Sequence, residues 1–537
     1  MDTSFPSVMD TSATGTRWAI ATPHTAATEA GAAAFERGGS AIDAAIAAAV
    51  TLAVVYPHMC GIGGDLFAVV RRPGHEGGDL VSVNSSGRSA RGADPAAVRE
   101  RHGAVMPLRG PDPITVPGAV AGWDALHRLG ARLPWASFFE APAAFAHEGV
   151  TMPASLGEWL AERDARALFE PDPGMASVFY PGGATVPVGS AFRNPALGRT
   201  LEALGAGGAE ALYRGAVGAA YVEGLRATGS PLTTDDLAAH EALILSPLSA
   251  PFRDLHVAVA PPNSQGYSLL QILSMIERLG LDPDPLGADA GTIARVFLVG
   301  LRDVRRHLAD PDRMTTHVST LLDDGHLAAL GDEVRGDLAS RVASPKPDGD
   351  TIALVTADAD GHAVSLIQSL FHGFGSGILE PTTGIVAHDR GACFTLEPGF
   401  PNSFTPGALP LHTLLPAVLT GPHGLAGVAG TMGGYQQAQI DAQTIARTFA
   451  LSFTPADAVG APRWTVDDLP ADGSLPAVFA EADVTAEAVT SIEAAGFDVH
   501  PVGVHDETVG HAHMIRVTPA GLDAGSDPRA DGGALAG

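Results

Sequence analysis

The stretch Asp350-Thr-Ile-Ala-Leu-Val-Thr-Ala357 decides the fold prediction, together with the residues that follow it. Thr351–Ala357 is rich in β-branched and small apolar residues, Asp358-Ala-Asp-Gly361 is typical of a tight turn, and His362–Gln368 forms a second apolar run. This pattern predicts a β-hairpin. Its first strand begins at a threonine, directly after a segment that contains two prolines.

A threonine at such a position has a specific chemical use. If the 350–351 peptide bond breaks, Thr351 becomes a new N-terminus, whose hydroxyl is the nucleophile and whose own α-amine is the base. That amine has an ordinary pKa of about 7.7–8, so a useful fraction is neutral at neutral pH. An Asp-Thr pair at a strand start is common, however, so the hypothesis depends on the rest of the chain.

Bulk composition limits the classes of function. The chain has 537 residues, of which 45% are hydrophobic, so a large core is available within one enzyme unit or several domains. The net charge of −28 argues against nucleic acid or an anionic membrane as partner. Two cysteines alone, Cys60 and Cys393, indicate a reducing compartment and are expected to be small buried residues.

The N-terminus and the apolar runs give no sign of export or membrane insertion. Met1–Phe5 lacks the basic and apolar regions of a signal peptide, and the longest apolar run, Ala44–Tyr56, is too short to span a bilayer. We therefore predict a soluble cytoplasmic protein.

Periodicity predicts several elements along the chain. Ser40 is expected to cap a buried helix that runs to about Val55, with Asp43 completing a capping box. Residues 118 to 345 are expected to be mostly helical, and 351 to 537 mostly strands with two helices. The individual predictions are strands at Leu66–Val70 and Leu255–Ala260 and helices at Leu269–Arg278, Ala294–Leu308, Gln436–Leu451 and Ala486–Ala495.

The predicted strands cluster around 66–85 and 351–395, with helices outside them. This order favours an α+β fold of stacked sheets covered by helices over alternating βαβ units. Val334–Asp350 carries two prolines and is predicted to be an exposed linker. The Ala524–Gly537 tail is the one stretch whose composition predicts disorder.

Two groups of residues suggest a site for carbonyl chemistry. Gly430-Thr-Met-Gly-Gly434 precedes a helix, and glycines at a helix N-terminus let backbone N–H groups approach an oxyanion closely. A simple strand-to-helix turn is the alternative interpretation. Ser369 follows the second strand and is either a hydrogen-bond partner of Thr351 or an ordinary turn serine. His412 and Thr413 lie in an apolar run and are either buried and satisfied or line a site.

Two other patterns carry weaker hypotheses. Gly61-Ile-Gly-Gly-Asp65 lacks the spacing and lysine of a phosphate-binding loop. Four residues near the C-terminus resemble a metal cluster, but their spacing matches no known ligand set, so a structural or solvated role is favoured and no metal or cofactor is predicted. The four are His505, Asp506, His511 and His513.

Seven motifs in order resemble the γ-glutamyltranspeptidase family and span nearly the whole chain. They are Gly38-Gly-Ser-Ala-Ile-Asp-Ala-Ala45, Gly61-Ile-Gly-Gly-Asp65, Pro117-Gly-Ala-Val-Ala-Gly122, Leu232-Thr-Thr-Asp-Asp-Leu237, Gly375-Ser-Gly-Ile378, Gly433-Gly434 and Ser526-Asp-Pro-Arg529. The resemblance implies an N-terminal-nucleophile hydrolase fold, a four-layer αββα sandwich. It also implies a proenzyme that cleaves itself into associated subunits, here a large subunit of residues 1–350, ending in the 334–350 linker, and a small subunit of residues 351–537.

The resemblance also assigns expected roles to individual residues. Thr351 is the expected nucleophile, and the cut is expected between Asp350 and Thr351. Ser369 is expected to support the threonine, and Gly433 and Gly434 to form the oxyanion hole. His412 and Thr413 stand where the family places a serine pair that contacts the substrate carboxylate.

Three departures argue against glutathione as substrate. Ser86 stands where glutathione-hydrolysing members bind the substrate carboxylate with an arginine, although Arg88 and Arg91 are nearby. Cys393 replaces the aspartate that meets the α-amino group, and Phe371 replaces an asparagine. Because each hydrogen bond to a charged group contributes about 1.5–3 kcal/mol, losing both partners of the zwitterion should weaken binding severely.

The sequence is similar instead to the branch that contains oxamate amidohydrolase and cephalosporin-acylase-type enzymes. Ile367–Gly377, Asp389–Phe394 and Leu411–Leu414 carry this similarity, whereas Leu409 stands where those members usually keep a basic residue. His372 and Arg88 are further candidates for substrate contacts. Related homologues in actinobacterial antibiotic pathways, including those that make alkylproline units, are implicated in cleaving a carbon–carbon bond beside a carbonyl.

The sequence therefore predicts a self-cleaving amidohydrolase or acylase that acts on a small molecule, with no nucleic acid or membrane partner. Three alternatives stay open. They are a carbon–carbon bond hydrolase that removes an oxalyl-type group, a true γ-glutamyl enzyme that uses Arg88, and a non-catalytic binding relic.

Overall fold

Two seven-stranded antiparallel sheets form the centre of the molecule, in a computed structural model that describes residues 9–74, 79–161, 163–336, 350–469 and 474–537. The first sheet, in spatial order, contains Gly533–Ala536, Trp18–Thr22, Asp350–Asp358, Ala363–Phe371, Asp65–Arg72, Asp79–Ser85 and Leu243–Leu245. The second contains Ser12–Gly15, Gly521–Ser526, Ala512–Thr518, Gly424–Thr431, Ala417–Gly421, Leu255–Val259 and Leu248–Phe252.

The two sheets pack face to face, and small apolar side chains fill the space between them. Val355 and Ala357 of the first sheet and Val428 and Ile515 of the second belong to one buried cluster. Asp350–Asp358 therefore lies against Gly424–Thr431 across this layer.

Helices cover the outer face of each sheet. Thr25–Glu36, Ala41–Val55 and Ala119–Arg128 pack on the first sheet. Gly266–Arg278 and Gln437–Phe449 pack on the second, with Ala290–His307 beside the former. The predicted four-layer αββα arrangement is confirmed.

The remaining elements surround this sandwich. The other α-helices are Pro95–His102, Glu140–Glu148, Ala154–Ala161, Arg163–Phe169, Pro173–Phe179, Pro195–Gly207, Glu210–Tyr213, Ala216–Ala227, Thr234–Ala238, Val318–Leu321, Asp324–Arg335, Pro455–Gly460 and Ala486–Ala494. The small sheets are Leu379–Glu380 with Ile385–Val386, Val150–Thr151 with Ala191–Phe192, and Trp464–Val466 with Val478–Glu481 and Val499–Val502. No helix among the described residues combines the length and apolarity needed to cross a bilayer.

The predicted buried helix is present as Ala41–Val55, and every one of its residues is buried. Ser40 caps it with the predicted capping box, since the Asp43 carboxylate accepts from the Ser40 backbone N–H at 2.8 Å. The helix packs on both strands of the predicted hairpin. Its apolar surface all round thus follows from its position between the first sheet and other helices.

Several local predictions are wrong. Residues 351–537 contain a third α-helix, Pro455–Gly460, besides the two predicted, and Ser369 lies within the strand Ala363–Phe371 instead of after it.

The tail predicted to be disordered contributes one strand to each sheet, Gly521–Ser526 and Gly533–Ala536. Two of its charged residues, Asp527 and Arg529, are buried in ion pairs with Arg463 and Glu481, which sequence composition does not reveal. The predicted linker also begins too early, because the helix Asp324–Arg335 includes buried Val334. Residues 337–349 of that linker lie outside the described residues.

Candidate active site

Thr351 lies at an irregularity in the predicted hairpin. Asp350 pairs with Phe371 but Ile352 pairs with Gln368, so the second strand has one extra residue opposite Thr351. A bulge of this kind redirects a side chain locally. Here Ser369 lies within hydrogen-bond reach, and the buried Thr351 hydroxyl donates to Ser369 Oγ at 3.1 Å.

Ser369 Oγ is an acceptor shared by three donors. Besides the Thr351 hydroxyl, the Phe371 backbone N–H donates at 2.7 Å and Arg390 Nη2 at 3.3 Å. Phe371 has a φ of 83°, a left-handed conformation that is strained for a bulky residue. The strained last residue of the strand thus directs its backbone N–H onto the serine that contacts Thr351.

Arg390 is the residue at this site that the sequence did not single out. It lies in the short 3₁₀ helix Arg390–Cys393 and is 1% exposed. Its Nη1 donates to Thr413 Oγ1 at 3.0 Å and to Cys393 Sγ at 3.8 Å, and its guanidinium lies 4.0 Å from the Phe371 ring centroid. Arg390 therefore joins four of the predicted site residues: Ser369, Phe371, Cys393 and Thr413.

A glutamine extends this network to the paired glycines. Gln265 Nε2 donates to the Thr413 carbonyl oxygen at 2.8 Å and to the Gly434 carbonyl oxygen at 3.0 Å. Gly433 has a φ of 135°, which strongly favours glycine, and the turn leads directly into the helix Gln437–Phe449. Continuous hydrogen bonds thus connect Thr351 to the loop that was predicted to bind an oxyanion.

The C-terminal motif Ser526–Arg529 is connected by hydrogen bonds to the backbone that packs against the loop containing Met432 and Gly433. Asp527 accepts from Arg463 Nη2 at 2.7 Å and from the Ala512 backbone N–H at 2.8 Å. Arg463 Nη1 donates to the Gly510 carbonyl oxygen at 3.0 Å, and a Cβ at position 510 would lie 2.5 Å from the Met432 carbonyl oxygen. The Ser526–Arg529 motif therefore fixes the backbone on which Met432 and Gly433 rest.

Gly61-Ile-Gly-Gly-Asp65 packs against the hairpin that contains Thr351 and Ser369. A Cβ at Gly64 would lie 2.3 Å from the Ser369 carbonyl oxygen, so only glycine allows this approach. The motif delivers Asp65 to the interior, where its carboxylate accepts from the Gly87 backbone N–H at 3.0 Å and lies 3.0 Å from His412 Nε2. Its glycines thus serve close packing beside the site.

The buried pair of Asp65 and His412 is predominantly carboxylate and neutral imidazole. Burial, together with the charge of Arg390, lowers the pKa of His412 to about 3 against the opposing effect of Asp65. Burial raises the pKa of Asp65, but the neighbouring His388, the hydrogen bond from His412 and the charge of Arg390 bring it below its ordinary value. His412 is therefore a buried, uncharged hydrogen-bond partner of Asp65.

His372 and Cys393 lie on either side of this cluster. His372 Nδ1 lies 2.5 Å from Asp389 Oδ2, so the side chain preceding Arg390 is already paired. Burial raises the pKa of the Cys393 thiol, although Arg390 opposes this shift, and Tyr435 Oη donates to its sulfur at 3.8 Å. Cys60, the other cysteine, is buried directly after the turn that follows the Ala41–Val55 helix.

Arg88 lies outside the cluster around Thr351. Its Nη1 donates to Asp310 Oδ2 at 3.1 Å and to the Gly407 carbonyl oxygen at 3.0 Å. It lines a cavity of about 200 Å³ together with Ser86, Arg91 and Leu409. Ser86 itself is buried and donates to Asn84 Oδ1 at 2.8 Å.

The four residues that resembled a metal cluster separate in the structure. His505 is exposed, whereas His511 and His513 are buried with ring centroids 5.8 Å apart. Within the described ranges, the one group of three possible ligands with atoms within 4.8 Å of one another is Asp358, Asp360 and His362. It lies at the hairpin turn, at the far end of both strands from Thr351.

Comparisons with known proteins agree with this geometry. The family model described as gamma-glutamyltranspeptidase matches residues 27–537. The chain belongs to the γ-glutamyltranspeptidase family.

Its relatives include several proenzymes. The oxamate amidohydrolase proenzyme of Klebsiella pneumoniae subsp. pneumoniae is 34% identical over 98% of this chain and 99% of that protein. The glutathione hydrolase-like YwrD proenzyme of Bacillus subtilis is 32% identical over 98% of this chain and 100% of that protein. The cephalosporin acylase of Bacillus halodurans, a solved structure, superposes with a TM-score of 0.89 at 30% identity, covering 99% of this chain and 98% of that chain. The predicted similarity to the oxamate and acylase branch is confirmed.

Proposed function

We propose that this chain is the precursor of an N-terminal-threonine hydrolase that cleaves an amide bond of a small carboxylic acid. The observation that carries the proposal is the hydrogen bond from the buried Thr351 hydroxyl to Ser369, at the start of the hairpin and within the network that reaches Gly434. Membership of a family whose relatives include an oxamate amidohydrolase and an acylase supports the reaction class.

The first reaction is maturation. The Thr351 hydroxyl attacks the Asp350 carbonyl carbon, the 350–351 amide bond breaks, and an ester joins the Asp350 acyl group to Thr351 Oγ. Water then hydrolyses this ester, which leaves a carboxylate at Asp350 and a free α-amine at Thr351. Several relatives, including the oxamate amidohydrolase and the YwrD protein, carry the name proenzyme, which supports a precursor that requires such a step.

The second reaction is turnover. The Thr351 hydroxyl attacks the substrate carbonyl while its α-amine takes the hydroxyl proton. Backbone N–H groups at Gly433 and Gly434 hold the tetrahedral oxyanion. The ammonium returns the proton to the departing amine, and an acyl-enzyme ester remains. Water attacks that ester with the α-amine again as base, and the acid product leaves.

The site geometry favours an acid over an amino acid as substrate. Arg390 supplies a buried cation beside Ser369. Cys393, at the position where the family places an aspartate for the substrate ammonium group, is a thiol whose pKa is raised by burial. The site therefore has a partner for a carboxylate and, among its described residues, none for an ammonium group next to it.

The experiment compares purified wild type with Thr351→Ala on a panel of substrates. The panel contains oxamate, a γ-glutamyl anilide and an oxalyl-bearing pyrroline acid, with products identified by mass. We expect wild type to release ammonia from oxamate and Thr351→Ala to act on none of the three. Thr356→Ala is the matched control, because that buried hydroxyl lies on the same strand but donates to the Ala41 carbonyl oxygen at 2.7 Å.

Other products would assign a different function. Release of oxalate from the pyrroline acid alone would favour the carbon–carbon hydrolase. Hydrolysis of the γ-glutamyl anilide with loss of that activity in Arg88→Ala would favour a γ-glutamyl enzyme. An uncleaved chain that binds these compounds without any turnover would favour a binding relic.

A further inference from the structure

Arg390 is a buried cation that forms no ion pair with any described residue. It is 1% exposed, and its contacts in the described ranges are two hydroxyl oxygens, one thiol sulfur and one aromatic ring. No carboxylate of the described side chains forms an ion pair with it, and Asp65, whose pKa it helps to lower, is instead bonded to His412. A buried charge without a paired countercharge is destabilising, so its presence calls for a reason other than stability.

The guanidinium also has donors to spare. An arginine has five N–H donors in a fixed planar fork that matches a carboxylate. Arg390 donates three hydrogen bonds to described residues, to Thr413, Cys393 and Ser369. Unused donors on a buried cation, beside a nucleophile, are suited to hold an anionic ligand.

The hydrogen bonds of Thr351 and Arg390 to the same serine keep the nucleophile and the bound anion close together. Thr351 Oγ1 and Arg390 Nη2 both bond to Ser369 Oγ, at 3.1 and 3.3 Å. A reactive carbonyl carbon lies about 3–3.5 Å from the attacking oxygen. A carboxylate oxygen lies about 2.7–2.9 Å from the guanidinium nitrogen that binds it.

A short acid satisfies both contacts in an extended conformation. A carboxylate joined directly to the attacked carbonyl, or through one carbon, needs one or two carbon–carbon bonds of about 1.5 Å each. Each further carbon adds a rotatable bond whose freedom is lost when both ends of the substrate are held. The shared contact of nucleophile and cation with Ser369 therefore favours a short substrate.

We propose that Arg390 is the substrate-binding residue that holds a carboxylate adjacent to, or one carbon from, the carbonyl attacked by Thr351. The substrates are then monoamides of two- or three-carbon dicarboxylic acids, with oxamate the shortest. This proposal rests on the proposed function, because it takes Thr351 as the nucleophile. An α-ammonium group beside that carboxylate is excluded by the same positive charge.

The test compares charged and uncharged amides of matched size. Oxamate, malonamate and succinamate differ by one carbon each, and oxamide and malonamide are uncharged counterparts. We expect wild type to cleave oxamate and malonamate far better than succinamate or the diamides. Arg390→Gln should raise KM for oxamate about 10- to 100-fold, the loss that charged hydrogen bonds predict. Its rate on oxamide should change much less, whereas a merely structural role would lower both rates equally.

Direct binding separates this proposal from the proposed function. Oxalate, which cannot be hydrolysed, should bind wild type in calorimetry and bind Arg390→Gln at least 10-fold more weakly. Arg390→Lys keeps the charge without the fork and should be intermediate. If no amide is cleaved but oxalate binding still depends on Arg390, the proposed function fails and the anion site stands.

Two controls complete the design. Arg447→Gln removes another buried arginine, one that donates to the Pro462 carbonyl oxygen on the helix Gln437–Phe449, and should leave the ratio of oxamate to oxamide rates unchanged. The proposal is overturned if oxalate binds Arg390→Gln as tightly as wild type. It is also overturned if Arg88→Gln, and not Arg390→Gln, removes the preference for the charged amides.

Discussion

Two buried arginine clusters in this chain differ in whether carboxylates pair with the arginines. In the first, Arg463 and Arg529 both bind Asp527, at 2.7 and 2.9 Å, and Arg529 also pairs with Glu481. In the second, the contacts of Arg390 with the described residues are to hydroxyl, thiol and aromatic groups. The first cluster contains its own carboxylates, whereas no described carboxylate forms an ion pair with Arg390.

The difference separates stability from binding. We call the first cluster, Arg463, Arg529, Asp527 and Glu481, the closed cluster. It links the C-terminal motif to the backbone next to Met432, so its ion pairs stabilise the folded state. We call the second cluster, Arg390 with its hydroxyl, thiol and aromatic neighbours, the open cluster. In it, Arg390 donates to the same Ser369 oxygen that Thr351 contacts. A buried cation without a protein partner is where an anionic ligand gains most, because water does not compete with it there.

The largest expected effect follows from opening the closed cluster. Asp527→Asn leaves Arg463 and Arg529 sharing a neutral amide, so we expect the free energy of unfolding to fall by about 3–5 kcal/mol. Denaturant unfolding measures it. Asp360→Asn is the matched control, because it breaks an exposed pair with Arg132 and should cost less than about 1 kcal/mol. Equal losses in the two variants would contradict the contrast between closed and exposed pairs.

Breaking the open cluster at its shared acceptor should affect catalysis. Ser369→Ala removes the oxygen that accepts from Thr351, Phe371 and Arg390. Leaving buried donors unsatisfied costs about 1–3 kcal/mol, so maturation and turnover should each slow by about 10- to 100-fold. Rates of chain cleavage and of oxamate hydrolysis are the measurements.

Ser365→Ala provides the comparison for Ser369→Ala. Ser365 lies on the same strand, but its hydroxyl donates to the Ala429 carbonyl oxygen in the second sheet at 2.7 Å. It should lower stability without slowing cleavage. A similar slowing in both variants would mean that the effect of Ser369 is a general loss of packing.

The closed cluster and the buried histidines beside it should lose their contributions to stability in different ranges of acidic pH. Burial, with the nearby His511, lowers the pKa of His513 to about 3 from 6.5. A group whose pKa is lowered on folding stabilises the fold above the unfolded value, so His513 loses its contribution as pH falls below 6.5. Despite burial, Arg463 and Arg529 lower the pKa of Asp527, whose contribution is lost only below about pH 3.9.

Unfolding measured between pH 6.5 and 4.5 should therefore show a decline to which His513 contributes about 1.4 kcal/mol per pH unit. His513→Asn, whose amide matches the position of Nδ1 and can keep the hydrogen bond to Ser526, should flatten the decline by that amount. An unchanged slope would show that His513 is charged in the folded state.

The smallest expected effect is on stability when the open cluster loses its cation. Arg390→Met removes an unpaired buried charge and a few hydrogen bonds to neutral groups, and these changes oppose each other. We expect the free energy of unfolding to change by less than about 1 kcal/mol. Arg463→Met, in contrast, should be strongly destabilising. A comparable loss in both would show that Arg390 has a structural countercharge after all.

Local and family-wide features were readable from the sequence. The hairpin at Thr351, the capping box at Ser40 and the turn at Gly433 each depend on residues close together in the chain, so their patterns predicted them. Ser369 was singled out because it was predicted to follow the second strand, although that strand continues to Phe371. These features locate the proposed reaction centre because the hairpin itself brings Thr351 and Ser369 together.

Charge pairing across the fold could not be read in the same way. Arg88 and Arg390 are both arginines beside family motifs. The structure shows that Asp310 pairs with Arg88, whereas none of the described carboxylates pairs with Arg390. The same reason explains the tail. Its Ala, Gly and Asp content predicted disorder, but Asp527 and Arg529 are buried through ion pairs with residues about 50 to 60 positions away.

The most direct test of the account is the intact mass of the purified protein, with the N-terminal residue of each chain determined. Wild type should yield two chains, the second beginning with Thr351, and Thr351→Ala should yield a single chain of 537 residues. A wild-type protein that is fully active as one chain, or a Thr351→Ala protein cut at the same bond, would contradict it.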